Sequence, residues 1–180
     1  MTDSINLLAC SGKSILSKLI KLRTNGPYSH IAYLLPNSNI CYCKNVPIVV
    51  EAWRGWVRIA DINFSHRSGT KYDIFNIPCT LAQKMAFERF VLEQVYKKYD
   101  FRAMLNFLLN PVYDPILDKT NEDKENPTKW FCSELIMGGL AKSGILNGTI
   151  RPSFTDPNTL MRLLVGNKIA TFVSSGVTHR

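Results

Sequence analysis

Histidine is scarce in this chain of 180 residues: His30, His66 and His179 are the three present. Any chemistry that needs an imidazole base must use one of them, and His179 lies one residue from the C-terminus. Long apolar runs are missing. Nothing approaches the ~20 apolar residues of a bilayer span, so no membrane span is expected. The segment Ile5-Asn6-Leu7-Leu8-Ala9-Cys10 lacks a basic n-region and is too short for an h-region, so no export signal is expected either. Cysteine is sparse and odd in number, with five residues at 10, 41, 43, 79 and 132. Without a regular framework they exclude a disulfide scaffold and point to reduced thiols and a cytoplasmic setting. Cys41-x-Cys43 has no second pair at ligand spacing, so neither a metal nor another cofactor is expected.

Acidic residues are in deficit, 14 against 22 basic ones, which gives a net charge of +8. That surface suits an anionic partner such as an acidic membrane face or a cell-wall polymer. No helix-turn-helix or stacked-aromatic signature is present, and no nucleic-acid partner is expected. Internal repeats and linkers are absent, so residues 1–180 read as a single domain.

The pattern that remains is strands first and helices later. Residues 5–10 read as a strand. Residues 13–23 read as a basic amphipathic helix, with Ile15, Leu16, Leu19, Ile20 and Leu22 forming its apolar side and Lys13, Lys18, Lys21 and Arg23 outside. Such a helix packs on its own core or lies on an anionic surface. After the breaker Thr24-Asn25-Gly26-Pro27, strands are expected at 28–35, 40–43, 48–53, 54–59 and 72–77. Helices are expected at 81–96 with Thr80 as N-cap, at 101–109, at 131–143 ending at Gly144, and from Asp156-Pro157 through Leu164. Residues 110–129, rich in Pro, Asp, Asn and Lys, read as an exposed excursion. The fold class is α+β, an antiparallel sheet with helices packed against it.

Three residues stand out. Cys132 enters a helix, where unsatisfied N–H groups and the helix dipole favour a thiolate; a buried structural cysteine is the plainer alternative. His30 opens a buried strand, a rigid platform for a general base, or is a satisfied core histidine. Glu51 is a carboxylate inside Ile-Val-Val-Glu-Ala-Trp, costly unless paired. Pairing Leu34 with Pro47 sets His30 opposite Glu51, which would orient the imidazole; a structural bridge to Arg54 or Arg58 is the alternative. His66, in Ser65-His66-Arg67-Ser68-Gly69, reads as a surface residue.

The ordered set Tyr28-Ser29-His30-Ile31-Ala32, Val50-Glu51-Ala52-Trp53 and Phe131-Cys132-Ser133-Glu134-Leu135 resembles the circularly permuted, YiiX-like branch of the NlpC-type papain-like cysteine hydrolases, including versions common in bacteriophages. In that branch the histidine precedes the cysteine. The resemblance implies a thiol hydrolase with Cys132 as nucleophile, His30 as base and Glu51 as orienter. The implied substrates are a peptide or peptidoglycan stem amide, or the acyl group of a lipid or thioester. If phage-encoded, it would act in the host cytoplasm or with the virion. A non-catalytic adaptor keeping the fold is the alternative from another class.

Overall fold

The computed structural model describes residues 3–36, 47–101, 104, 108, 129–146 and 155–179. The expected strand at 40–43, both cysteines of Cys41-x-Cys43 and nearly all of the excursion at 110–129 lie outside the described residues, as does most of the helix expected at 101–109.

In chain order the elements are β1 (Asp3–Ser11), α1 (Ile15–Arg23), β2 (His30–Leu34), β3 (Ile48–Trp53), β4 (Trp56–Asp61), α2 (Ile62–Ser65) and β5 (Lys71–Cys79). Then come α3 (Leu81–Glu93), β6 (Lys98–Tyr99), β7 (Lys129–Trp130), α4 (Cys132–Lys142), α5 (Pro157–Gly166) and β8 (Thr171–Val177). The described strands form one eight-stranded sheet in the order β7-β6-β4-β3-β2-β1-β5-β8. Its pairings are antiparallel apart from β6 with β7. The fold is thus mixed α and β, with helices on the sheet.

Alternation sorts the strands onto two faces. On one face Ile5, Leu7, Ile31, Tyr33, Val50 and Ala52 pack with α3 and α4 in the main core. On the other, Leu8, Cys10, Ala32 and Val49 meet Ile62 in a smaller cluster. Because Cys10 pairs with His30 and Leu8 with Ala32, His30 belongs to the second face. Glu51 shares that face with Val49.

Local chemistry explains the helix ends. Thr80 and Gln83 form a reciprocal capping box at the start of α3, which satisfies two orphan N–H groups. Asp156 caps α5 and Pro157 opens it. Gly144 takes φ +70° just after α4, the left-handed conformation that glycine tolerates best.

One expectation is corrected and one strand is added. The apolar side of α1 is not packed on the core: its buried residue is Ser17, whereas Ile15 is 79% and Leu22 80% exposed. Ser17 lies under the helix because Ser14 caps it and bonds its hydroxyl at 2.8 Å. The last strand, β8, was also not expected; it extends the sheet at β5.

Candidate active site

β2 and β3 pair through Tyr33 with Val50 and Leu34 with Val49. This register is two residues away from the expected one. Continued, it sets Trp53 opposite His30 and leaves Glu51 diagonal to it. A shift of two preserves the face of every side chain, so the two residues still meet. His30 Nε2 lies 2.9 Å from Glu51 Oε2, and the Trp53 ring rests on the imidazole at 4.8 Å between centroids.

Glu51 is wholly buried, and four polar contacts compensate its desolvation. On Oε1 it accepts from Arg58 Nε at 3.2 Å and Nη2 at 3.0 Å; Arg58 is its direct cross-strand partner on β4. On Oε2 it meets His30 and, at 3.3 Å, His66 Nε2. Burial raises the Glu51 carboxyl pKa, but the hydrogen bonds from the two histidines counter it, and the group is held well below its ordinary value. Glu51 is therefore an anion. Burial in turn lowers the pKa of His30, against the opposing pull of Glu51. The imidazole is then neutral, its proton sits on Nε2 facing the carboxylate, and the lone pair is on Nδ1.

His66 is not a surface residue. It is 4% exposed, and its ring packs on Trp53 at 4.6 Å and lies 5.1 Å from His30. The four-residue helix α2, capped by Asp61, turns the chain under the sheet, and the His66 N–H donates to Ile62 O at 3.0 Å. The signal was local: Asp61 before Ile62-Asn63-Phe64 is a helix start, and a short helix brings the following residue back toward β3.

Cys132 is the first residue of α4, and its thiol is buried. The backbone amides of Ile31, Ser133 and Cys132 hydrogen-bond the sulfur and favour a thiolate. Burial is the larger effect and, with the Glu51 charge, pushes the thiol up to about 12. The helix N-terminus therefore does not give a resting thiolate, contrary to the simple helix-dipole expectation; in the same turn Glu134 accepts from the Phe131 N–H at 3.1 Å.

Cys132 and His30 line one cavity of about 220 Å³, walled by Leu16, Ile20, Trp53, Tyr99, Phe101 and Phe131. No hydrogen bond joins the two residues. A second cavity of about 380 Å³ is lined by His66, Trp53, Lys13, Arg54 and Arg67 among others. Thus His30 and Glu51 are brought into contact, Cys132 shares their cavity, and His66 and Arg58 complete the buried polar cluster.

A further residue positions the site. Asn158, near the start of α5, accepts from the Tyr28 N–H at 2.9 Å and donates to Tyr28 O at 2.6 Å and Thr24 Oγ1 at 2.5 Å. It clamps the chain just ahead of His30. Gly26 permits this approach, since a Cβ there would lie 2.4 Å from the Asn158 side chain. Spacing along the sequence gives no sign of this link.

No family model and no curated protein matches the chain. Among solved structures it is similar to the metalloprotein YiiX of Escherichia coli O157:H7 (DUF1105), with 15% identity, a TM-score of 0.57 and 97% of each chain covered. Over nearly its whole length, the chain has the fold of YiiX.

Proposed function

We propose that the protein is a thiol hydrolase or acyl transferase of the permuted papain-like type, with Cys132 as nucleophile, His30 as general base and Glu51 as its orienter. The observation that carries this reading is the contact of His30 Nε2 with Glu51 Oε2 at 2.9 Å, in the cavity that Cys132 also lines. Nδ1 is then the basic atom. It takes the thiol proton as sulfur attacks the acyl carbonyl, and the amides around the sulfur can stabilise the oxyanion. Collapse of the tetrahedral adduct expels the leaving group, which takes the proton back from His30. Water, deprotonated by Nδ1, then cleaves the thioester and restores the thiol. A raised thiol pKa and a lowered imidazole pKa mean that the proton moves during attack rather than before it.

The substrate is an amide of a peptide or peptidoglycan stem, or an acyl ester or thioester. The apolar walls of the cavity favour the acyl group. So does α1: Ile15, Leu19 and Leu22 are exposed beside its basic residues, while Leu16 and Ile20 line the cavity. A helix of this kind suits an anionic membrane surface from which an acyl chain enters.

YiiX is a metalloprotein, and among the described residues of this chain His30, Glu51 and His66 fit a divalent ion. Such an ion would supply a Lewis acid. The thiol reading is preferred because it uses Cys132 and the Nδ1 of His30 directly.

The test is acyl release from thioesters and from vesicles containing anionic phospholipid, set beside cleavage of muropeptides, for the wild type, Cys132→Ala and His30→Ala. Acyl release by the wild type alone supports the reading. Muropeptide cleavage alone keeps the mechanism and changes the substrate, and inactivity on all of them favours a non-catalytic scaffold.

A further inference from the structure

His66 has no task in the thiol mechanism, since Glu51 already orients His30 and Arg58 already holds Glu51. Yet its Nε2 is buried against the same carboxylate oxygen as that of His30. The donor atoms of His30, Glu51 and His66 all lie within 4.8 Å of one another, with Oε2 at 2.9 and 3.3 Å from the two nitrogens. Zinc bonds of about 2.0–2.1 Å in a tetrahedron require donors roughly 3.3 Å apart. Two imidazoles and one carboxylate are also a complete set of protein ligands for an open divalent site. The outer contacts are present as well. Arg58 fixes the free oxygen of Glu51 and is tied to Ser65 Oγ at 3.1 Å, and Trp53 packs on both imidazoles. Partners of this type set the orientation of metal ligands.

We propose that His30, Glu51 and His66 form a divalent transition-metal site whose occupation withdraws His30 from Cys132. The coupling to Cys132 rests on the thiol reading, whereas the site itself does not. The reason for the coupling is the tautomer. In the metal-free protein His30 carries its proton on Nε2, facing Glu51, and Nδ1 is free to accept from the thiol. A metal bound at Nε2 displaces that proton, and a neutral ring then carries it on Nδ1. Nδ1 becomes a donor and cannot take the thiol proton. Metal binding and acyl transfer are thus alternatives at one histidine.

The experiment titrates chelator-treated full-length protein with Co²⁺. Visible d–d absorption reports binding, and ¹⁵N NMR of the histidine side chains reports the tautomers. About one Co²⁺ per chain is expected for the wild type and for Cys132→Ser. Binding is expected to weaken at least about tenfold in His66→Gln, a loss of one of three protein ligands that leaves Glu51 an N–H donor. A Zn²⁺-loaded sample should show the His30 proton moved from Nε2 to Nδ1. Absence of d–d absorption, undiminished binding by His66→Gln, or a thiolate-to-cobalt charge-transfer band overturns the site. Binding with the His30 tautomer unchanged overturns the coupling. Failure of the thiol reading shows separately, as an inactive metal-free protein that still gives the cobalt spectrum.

Discussion

Glu51 holds His30 through a single oxygen, Oε2 at 2.9 Å from Nε2, while Arg58 occupies the other oxygen. A carboxylate buried this deeply is stable only because all of its partners are in place. Glu51→Gln removes the charge and leaves Arg58 without its counter-ion, at a cost of about 3 kcal/mol in denaturant unfolding at neutral pH. The sign of the pH dependence follows from the lowered pKa of Glu51. Stability from this group is fully present above the unfolded value of about 4.3 and is lost as the pH falls below it, because the unfolded chain binds the proton first. The gap between wild type and variant should therefore narrow under acid. A gap that stays constant between neutral and acid pH would contradict the ionised carboxylate.

The thiol of Cys132 is predicted to titrate late. With its pKa pushed up to about 12 by burial, the rate of alkylation at Cys132 should rise steadily from neutral pH through alkaline pH. A plateau near neutral pH would show a resting thiolate–imidazolium pair, against the neutral pair described above. Stability carried by the protonated thiol is present below its unfolded value of about 8.5 and declines as the pH rises toward the folded value.

Asn158→Ala should cost about 2–3 kcal/mol, since it removes three hydrogen bonds and leaves the Tyr28 backbone unpaired. Because that clamp precedes His30, the activity of the folded variant should also fall. Urea unfolding measures the first effect, and turnover at equal folded fraction measures the second. Loss of stability with turnover unchanged would show that the clamp supports the fold without positioning the histidine.

On α1 the expectation is the reverse. Ile15 and Leu22 are exposed, so the double substitution Ile15→Ser, Leu22→Ser should change stability by less than about 0.5 kcal/mol. Its binding to vesicles containing anionic lipid should nevertheless drop in a sedimentation assay. Equal binding by variant and wild type would remove α1 from the proposed membrane contact.

These contrasts mark what the sequence discloses. β1, β2, β3, α3, α4 and α5 were legible because apolar spacing, Thr80, Asp156-Pro157 and Gly144 are local signals. The His30–Glu51 contact was legible through face alternation, although the register was off by two, since alternation fixes a face and not a partner. His66 was missed because Ser65-His66-Arg67-Ser68-Gly69 is polar; its burial depends on α2 returning the chain to Glu51. α1 was misread because its spacing shows an apolar side but not which side faces the protein: Ser17, held by Ser14, lies inward. Asn158 could not be read, because its partners at Thr24 and Tyr28 are distant in sequence.

The central claim is that Cys132 carries the acyl group in transit. The most direct measurement is intact-mass and peptide mass spectrometry of the metal-free protein quenched during reaction with an acyl thioester. The account predicts a mass increase of one acyl group on the Cys132 peptide, absent in Cys132→Ser and formed more slowly in His30→Ala. An unmodified Cys132 while acyl groups are being released, or an adduct formed at the same rate without His30, would contradict it.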